Sequence, residues 1–571
     1  MSSHKPALPA KNNSNHRHGG QILADQLAIL GAEKVFCVPG ESFLGLLDGL
    51  YDHQDKIDVI TCRHEAGASN MADAYAKLTG KPGICAVTRG PGATNASNGI
   101  HTAFQDSSPM IVLIGQVATS MIDREAFQEM DYRRVFGEMA KWVAQIDDVE
   151  RIPEYLSHAW HVALSGRPGP VVLALPEDVL SRTAEVRDLR PVEIGQSAPD
   201  SSAMEQLSKM IDEANKPLLV IGGPGWNAEA AKLVEKVAER FDLPVATTFR
   251  CQDYIDNAHP NYAGVIGIAP LPELRRKLNE EVDLAIVIGS RLGEMTTQGY
   301  SLIDIPIPQM RFVHVHPGSE QLGHVYSPDL SIVSSPENFL TAMLELPDSA
   351  GDRREWTAGF HPAYEQYLEP TVVPGALNMA SVIKHFSQSL PDDTIYTNGA
   401  GNYSVWLHRF HAHRQFRTQL APTSGSMGYS VPAAIAAKLQ HPDRFVVSVA
   451  GDGCFLMTAQ ELATAKRYKL PIIYLVVNNG MYGTIRMHQE RTYPDHVIGT
   501  DLTNPDFVAY AGAFGIPGEV VTSDDQIADA LSRARSSGEG YLIELRVDPE
   551  ALTPTQSLSA ARKQGEAAQS S

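Results

Sequence analysis

The stretch that decides the fold is Val446–Arg486, VVSVAGDGCFLMTAQELATAKRYKLPIIYLVVNNGMYGTIR. An apolar run, Phe445–Ala450, reads as a buried strand ending at Gly451-Asp452-Gly453. Leu462, Ala463 and Ala465 have helical spacing, Pro471 closes that segment, and a second apolar run, Ile472–Val477, delivers Asn478-Asn479. Strand, helix and strand in this order form a βαβ unit. Its crossover sets the two strands parallel, with their C-terminal ends on one crevice. Asp452 and Asn479, 27 positions apart, can therefore converge. Hard oxygen ligands beside glycine suit Mg²⁺ holding a diphosphate. The plainer reading makes the same residues helix-capping and turn-forming groups.

Composition narrows the class. A chain of 571 residues has room for about three or four domains, and its 43% hydrophobic and 20% charged residues are those of an ordinary globular protein. A net charge of −20 argues against a nucleic-acid surface. Cys37, Cys62, Cys85, Cys251 and Cys454 are scattered and lack CxxC spacing, which points to reduced thiols and a cytoplasmic location. No window is apolar over the roughly 18 residues that a membrane span needs. Residues 1–18, MSSHKPALPAKNNSNHRH, lack an apolar signal core and read as a disordered polar arm. Residues 549–571, rich in Ala, Gln and Ser, read as a flexible tail.

Between these ends the strand and helix patterns repeat three times, giving an α/β fold class of three consecutive open parallel-sheet domains. The boundaries read as 19–185, 203–348 and 375–548, separated by charged, Pro-punctuated linkers. The first domain carries Arg63–Ala68 (RHEAGA), Gly90–Asn95 (GPGATN), Gly115–Val117 (GQV), Ala126–Glu129 (AFQE), Lys141-Trp142 and Arg167–Val171 (RPGPV). The third adds Gly425–Ala434 (GSMGYSVPAA) to the opening stretch.

On these motifs the chain resembles, over nearly its full length, the three-domain thiamine diphosphate (ThDP) enzymes of the acetohydroxyacid synthase, pyruvate oxidase and 2-oxo acid decarboxylase superfamily. The acetolactate synthase large-subunit type is the most similar. The resemblance implies pyrimidine-binding, middle and diphosphate-binding domains in that order. It implies Glu65 as the carboxylic acid that activates the cofactor's aminopyrimidine, with Asp452, Asn479 and the carbonyl of Met481 as Mg²⁺ ligands. Met427 would bend the cofactor, and backbone groups of Gly425 and Met427 would bond its pyrimidine. Gly451, Gly453, Cys454, Asn402 and Tyr403 would lie along the diphosphate. Asn402-Tyr403 replaces the Gln-His of typical synthases. Because the family's acid faces a cofactor held by another subunit, a homodimer or homotetramer is implied.

The substrate implied is a 2-oxo acid whose CO₂ is lost before a carbonyl acceptor is joined. Phe127 and Gln128 would line the acceptor region, with Gln128 orienting a carbonyl oxygen. Two departures open other outcomes. His488 stands where biosynthetic synthases carry a substrate-selecting Trp. Glu41 stands where decarboxylases carry a proton-transferring Asp, so simple decarboxylation, or cleavage of a diketone or acyloin, remains open. Arg486 would meet a substrate carboxylate, or be an ordinary exposed helix residue. Gly222–Gly225 and Gly289–Arg291 resemble flavin-contacting turns, but Ile266–Ala269 replaces a Met-His-Gly element, so FAD is disfavoured.

Overall fold

The computed structural model describes residues 16–349 and 351–570. Most of the N-terminal arm therefore lies outside the described residues. Three six-stranded sheets, each entirely parallel, follow one another along the chain. The N-terminal region contributes β1 (His16–His18), β2 (Lys34–Cys37), β3 (Asp58–Thr61), β4 (Gly83–Val87), β5 (Met110–Gln116), β6 (Trp142–Gln145), β7 (Pro170–Pro176) and β8 (Thr183–Glu185). The middle region contributes β9 (Pro217–Ile221), β10 (Val245–Thr247), β11 (Tyr262–Val265), β12 (Leu284–Ile288), β13 (Arg311–His316) and β14 (Leu330–Val333). The last contributes β15 (Ile395–Asn398), β16 (Gln419–Leu420), β17 (Val446–Gly451), β18 (Ile473–Asn478), β19 (Gly518–Val521) and β20 (Tyr541–Arg546).

The sheet orders are β3-β2-β4-β5-β7-β6, β11-β10-β9-β12-β13-β14 and β16-β15-β17-β18-β20-β19. Central strands such as β5, β7, β12 and β17 are buried along their whole length, as strands covered by helices on both faces must be. β17 pairs with β18 so that Gly451 lies opposite Val477. The residues that follow each strand, Asp452 and Asn478-Asn479, are thereby placed side by side.

The first and third regions share one continuous apolar core, while the middle region has its own. The shared core runs through the Glu65–Thr79 helix, which packs on the Ser430–Gln440 helix. Its Ala-rich sequence is free of proline, His64 Nδ1 accepts from Ala66 N at its start, and Gly80 at φ +75° ends it. A left-handed terminal residue of this kind is what glycine permits without strain.

Both chain ends differ from expectation where they are described. Residues 16–18 pair antiparallel with β8 rather than hanging free. The expected flexible tail, 549–571, instead forms the Leu558–Ser570 helix over its described residues, packed on the Gly483–Thr492 helix. Composition hid this contact because small residues make it. Leu558, Ala561 and Gly565 are buried, and a Cβ on Gly565 would stand 2.3 Å from Glu490 O. Arg562 donates twice to the buried Glu490 carboxylate, at 2.9 and 2.7 Å.

Candidate active site

At the β17 and β18 ends, Asp452 is buried and bonded only to neutral donors among the described residues. Its Oδ1 accepts from Gly453 N at 2.9 Å, and its Oδ2 from Gly480 N at 2.9 Å and Asn504 Nδ2 at 2.8 Å. Burial pushes its carboxyl up from the ordinary range, against these hydrogen bonds. A divalent cation is the compensation such a buried carboxylate calls for. No cluster of three or more His, Cys, Asp or Glu among the described residues could hold a metal. A cation here would therefore rest on Asp452, the Asn479 amide, the Met481 carbonyl and the diphosphate itself, an oxygen set that suits Mg²⁺. The residues present fit ThDP with Mg²⁺.

The two adjacent amides divide the work. Asn478 Nδ2 donates to Glu544 Oε1 at 2.8 Å, tying β18 to β20, while its Oδ1 accepts from Gly480 N and Asn504 Nδ2. Asn479 Oδ1 receives Met481 N at 3.2 Å, and Met481 O receives Gly483 N at 2.9 Å. Glycine is needed throughout: a Cβ on Gly451 would meet the Tyr403 ring at 2.9 Å, and one on Gly453 the Tyr482 ring at 2.5 Å.

Tyr403 and Cys454 turn their side chains into the packing. The Tyr403 hydroxyl accepts from Gly399 N at 3.0 Å and meets Cys454 Sγ at 3.2 Å, while that sulfur accepts from Gly428 N. Both side chains are buried and committed inward, and burial pushes the Cys454 thiol up. Their side chains support the floor of the site. Asn402 bonds Thr484 through its N–H and its Oδ1. In the Gly425–Met427 loop, Gly425 N donates to Pro422 O and Met427 O accepts from Ser426 Oγ. These bonds do not use the Gly425 carbonyl or the Met427 N–H. The half-buried Met427 side chain packs on the shared core.

Glu65 opens its helix and is nearly buried, 9% exposed. Its Oε2 accepts from Asn95 Nδ2 at 3.0 Å, and a Cβ on Gly92 would come within 3.2 Å of its Oε1. RHEAGA and GPGATN thus meet around this one carboxyl. The segment bearing Glu65 is held from the third region. Glu461, fully buried, accepts from Arg63 N and His64 N at 3.0 Å each. Gly67 makes room for it, since a Cβ there would lie 2.4 Å from Glu461 Oε1. Arg250 of the middle region braces the cofactor loop from the other side, donating to Gly399 O at 2.8 Å and to Pro422 O.

The substrate candidates separate. Phe127 is 71% exposed and Gln128, half-buried, sits at φ +65°. Gln116 of the GQV motif holds the same loop, donating to Met130 O at 2.8 Å. Glu41 lies exposed after β2, and His488 lies exposed on the Gly483–Thr492 helix. Arg486 does not present a free cation: its Nε donates to Glu490 at 3.0 Å and its Nη1 lies 3.6 Å from Asp501. Two carboxylates already balance it. The Lys141-Trp142 pair is likewise structural. Lys141 Nζ donates to Val162 O and to Ser165 O, at the end of the Ile152–Leu164 helix, and Trp142 stacks on Tyr155. Burial lowers that lysine to about 8.

The two glycine turns of the middle region come together. A Cβ on Gly223 would strike Gly289 O at 2.0 Å. They border a cavity of about 1070 Å³ that Arg167, Arg250, Arg291 and Arg417 also line. This is dinucleotide-scale space, so geometry adds nothing to the sequence argument against FAD.

Comparison with known proteins agrees with this layout. Residues 17–135 match the N-terminal TPP binding domain of thiamine pyrophosphate (diphosphate) enzymes, 204–343 their central domain, and 399–545 their C-terminal TPP binding domain. The acetolactate synthase large subunit of Corynebacterium glutamicum is 32% identical over 90% of this chain and 84% of its own length. Acetolactate synthase isozyme 2 large subunit of Escherichia coli is 29% identical over 93% and 96%. The mitochondrial acetolactate synthase catalytic subunit of Saccharomyces cerevisiae is 30% identical over 93% and 80%. The chain belongs to the thiamine pyrophosphate enzymes, and within them to the acetolactate synthase-like catalysts of the transferase and lyase type.

Proposed function

We propose that this protein, with ThDP and Mg²⁺, decarboxylates pyruvate or a related 2-oxo acid and joins the remaining fragment to a carbonyl acceptor. The observation that carries the reading is the pair of half-sites: a buried Asp452 beside Asn479, and a nearly buried Glu65 held by Asn95. When bound, ThDP supplies a nucleophilic thiazolium carbon and an electron sink for the loss of CO₂. Asp452, Asn479 and the Met481 carbonyl would hold the metal and diphosphate. Glu65 would hold a proton toward the pyrimidine ring, in a setting dry enough to make that hydrogen bond count. Phe127 and Gln128 would receive the acceptor.

The active unit in this proposal is a homodimer or homotetramer with sites between subunits, in the cytoplasm. Large apolar side chains remain exposed near each half-site, Leu44 and Phe127 near one, Leu456, Met457 and Ile485 near the other. These exposed apolar side chains support an interaction surface at both half-sites. Among the described residues no helix is long and apolar enough to cross a membrane.

Incubation with ThDP, Mg²⁺ and a panel of 2-oxo acids, with CO₂ and products followed, tests the reading. Acetolactate from pyruvate is the expected product. Aldehyde alone would replace the carboligase by a decarboxylase, and turnover of a diketone without CO₂ would replace both. FAD is left out of the proposed reaction; the visible absorbance of the same purified protein checks that choice.

A further inference from the structure

Arg89 lies in the turn two residues after β4, just before Gly90, and its side chain is only 8% exposed. Its Nε donates to Phe127 O at 3.1 Å, its Nη1 to Glu177 Oε2 at 3.2 Å, and its Nη2 lies 3.8 Å from Glu41 Oε1. One guanidinium therefore gathers the segments that follow β2, β5 and β7. Those segments carry Glu41, the Phe127-Gln128 pair and Glu177, at the same sheet edge as Glu65. A lysine ammonium has three donors but presents them from a single point, whereas the guanidinium spreads five over a rigid fork and so reaches partners on three separate segments.

The contact to Phe127 O matters most, because the next residue is strained. Gln128 holds φ +65°, a left-handed conformation that costs a non-glycine residue unless its surroundings enforce it. Gly90, itself at φ +61°, lets the loop approach: a Cβ there would lie 2.8 Å from Gln128 Cβ and 2.9 Å from Gln128 O. Gly90 N donates to Tyr132 Oη at 3.1 Å, and Arg89 N to Ser42 Oγ at 3.4 Å, so the anchor is itself anchored on both sides.

We propose that Arg89 is a positioning and specificity-determining residue for the acceptor half of the reaction. It fixes the Gln128 conformation that would meet the acceptor carbonyl, and it keeps Glu41 beside a cation, at the edge of the site. This rests on the carboligation reading above. Without Arg89 the acceptor is poorly oriented, Glu41 is released, and the fragment left after decarboxylation leaves as aldehyde more often than it is joined.

The test uses the full chain with ThDP and Mg²⁺, comparing wild type with Arg89→Ala, Arg89→Gln and Arg89→Lys. Thermal melting, kcat and KM for the donor, and the ratio of acyloin to aldehyde are read for each. Acyloin formation is expected to fall more than donor consumption, lowering that ratio on the order of 10- to 100-fold, the scale of a misplaced substrate. Arg89→Lys is expected not to restore the ratio, and added methylguanidinium to restore part of it in Arg89→Ala. Arg89→Gln retains a donor for Phe127 O and serves if the alanine variant fails to fold. Lower melting temperatures with an unchanged product ratio would overturn the proposal alone. A wild type that forms no acyloin from any 2-oxo acid would overturn the carboligation reading and this proposal with it.

Discussion

Replacing Glu461 tests whether the third region sets the position of Glu65. The Glu461 carboxylate takes the N–H groups of Arg63 and His64 and the Thr464 hydroxyl, with no exposure to water. Burial raises its carboxyl, so ionising it has a cost that these bonds offset. In Glu461→Ala two backbone donors lose their acceptor in a buried place, at about 1–3 kcal/mol each. Part of that returns because no carboxylate is buried any longer, leaving a net loss of about 2–3 kcal/mol. For a chain of this size the melting temperature should fall by roughly 2–3 °C. Glu461→Gln keeps one acceptor but turns an amide donor toward the second N–H, so its loss should be nearer 1–2 kcal/mol. The catalytic consequence is separable from the stability loss. Arg63 and His64 immediately precede Glu65, so a shift there moves the acid, and a displacement of about 1 Å at a reacting group can cost 100-fold. Well below its melting temperature, Glu461→Gln should therefore lose at least about 10-fold in kcat with little change in KM. Calorimetric melting and steady-state kinetics on the same preparation decide it. A folded Glu461→Gln with wild-type kcat would refute the reasoning.

Three further outcomes follow from the same geometry. Glu65→Gln should abolish turnover of every 2-oxo acid in the panel while the protein melts as wild type; retained full activity would mean that another group activates the cofactor. Asp452→Asn should weaken Mg²⁺ binding in the presence of ThDP by on the order of 100-fold, measured by titration calorimetry, with Asn504→Ala showing a smaller loss in the same direction. Arg562 and Arg486 hold the Glu490 carboxyl at about 2, below the roughly 4.3 of an unfolded chain. A depressed carboxyl contributes stability above its unfolded value and loses it as pH falls toward the folded one, so the melting gap between wild type and Glu490→Gln should be full near neutrality and close between about pH 4.3 and 2.

How much of this was legible depends on the distance over which a residue makes its meaning. Asp452, Asn479 and Glu65 stand at strand ends or helix starts inside short motifs, so local pattern and parallel topology together located them. Asn504 and Glu461 act by reaching segments far away in sequence, and no spacing rule connects Glu461 to Arg63 or Asn504 to Asp452. Glu461 lay within the opening stretch, yet its burial and its acceptor role exist only once two domains are packed. The C-terminal helix was missed for a related reason: Ala561 and Gly565 form an interface by being small, and composition cannot distinguish a small residue at a close contact from one in a loose tail.

The same logic explains why the motif residues that resemble the family's are not all equal. Asn478 and Asn479 are neighbours with one chemistry, but the strand ends between them and gives them different tasks. Asn478 is the last residue of β18 and bonds across the sheet to Glu544 and to Asn504, fixing where the turn begins. Asn479 lies beyond the sheet and can therefore face a ligand. Arg486 shows the reverse: its position suits a substrate carboxylate, but Glu490 and Asp501 had to be seen before its charge could be counted as spent. Arg89 is balanced by two carboxylates as well, Glu177 and Glu41, but it also holds Phe127 O, so the selectivity question passes from the helix after Asn479 to the three loops that Arg89 holds.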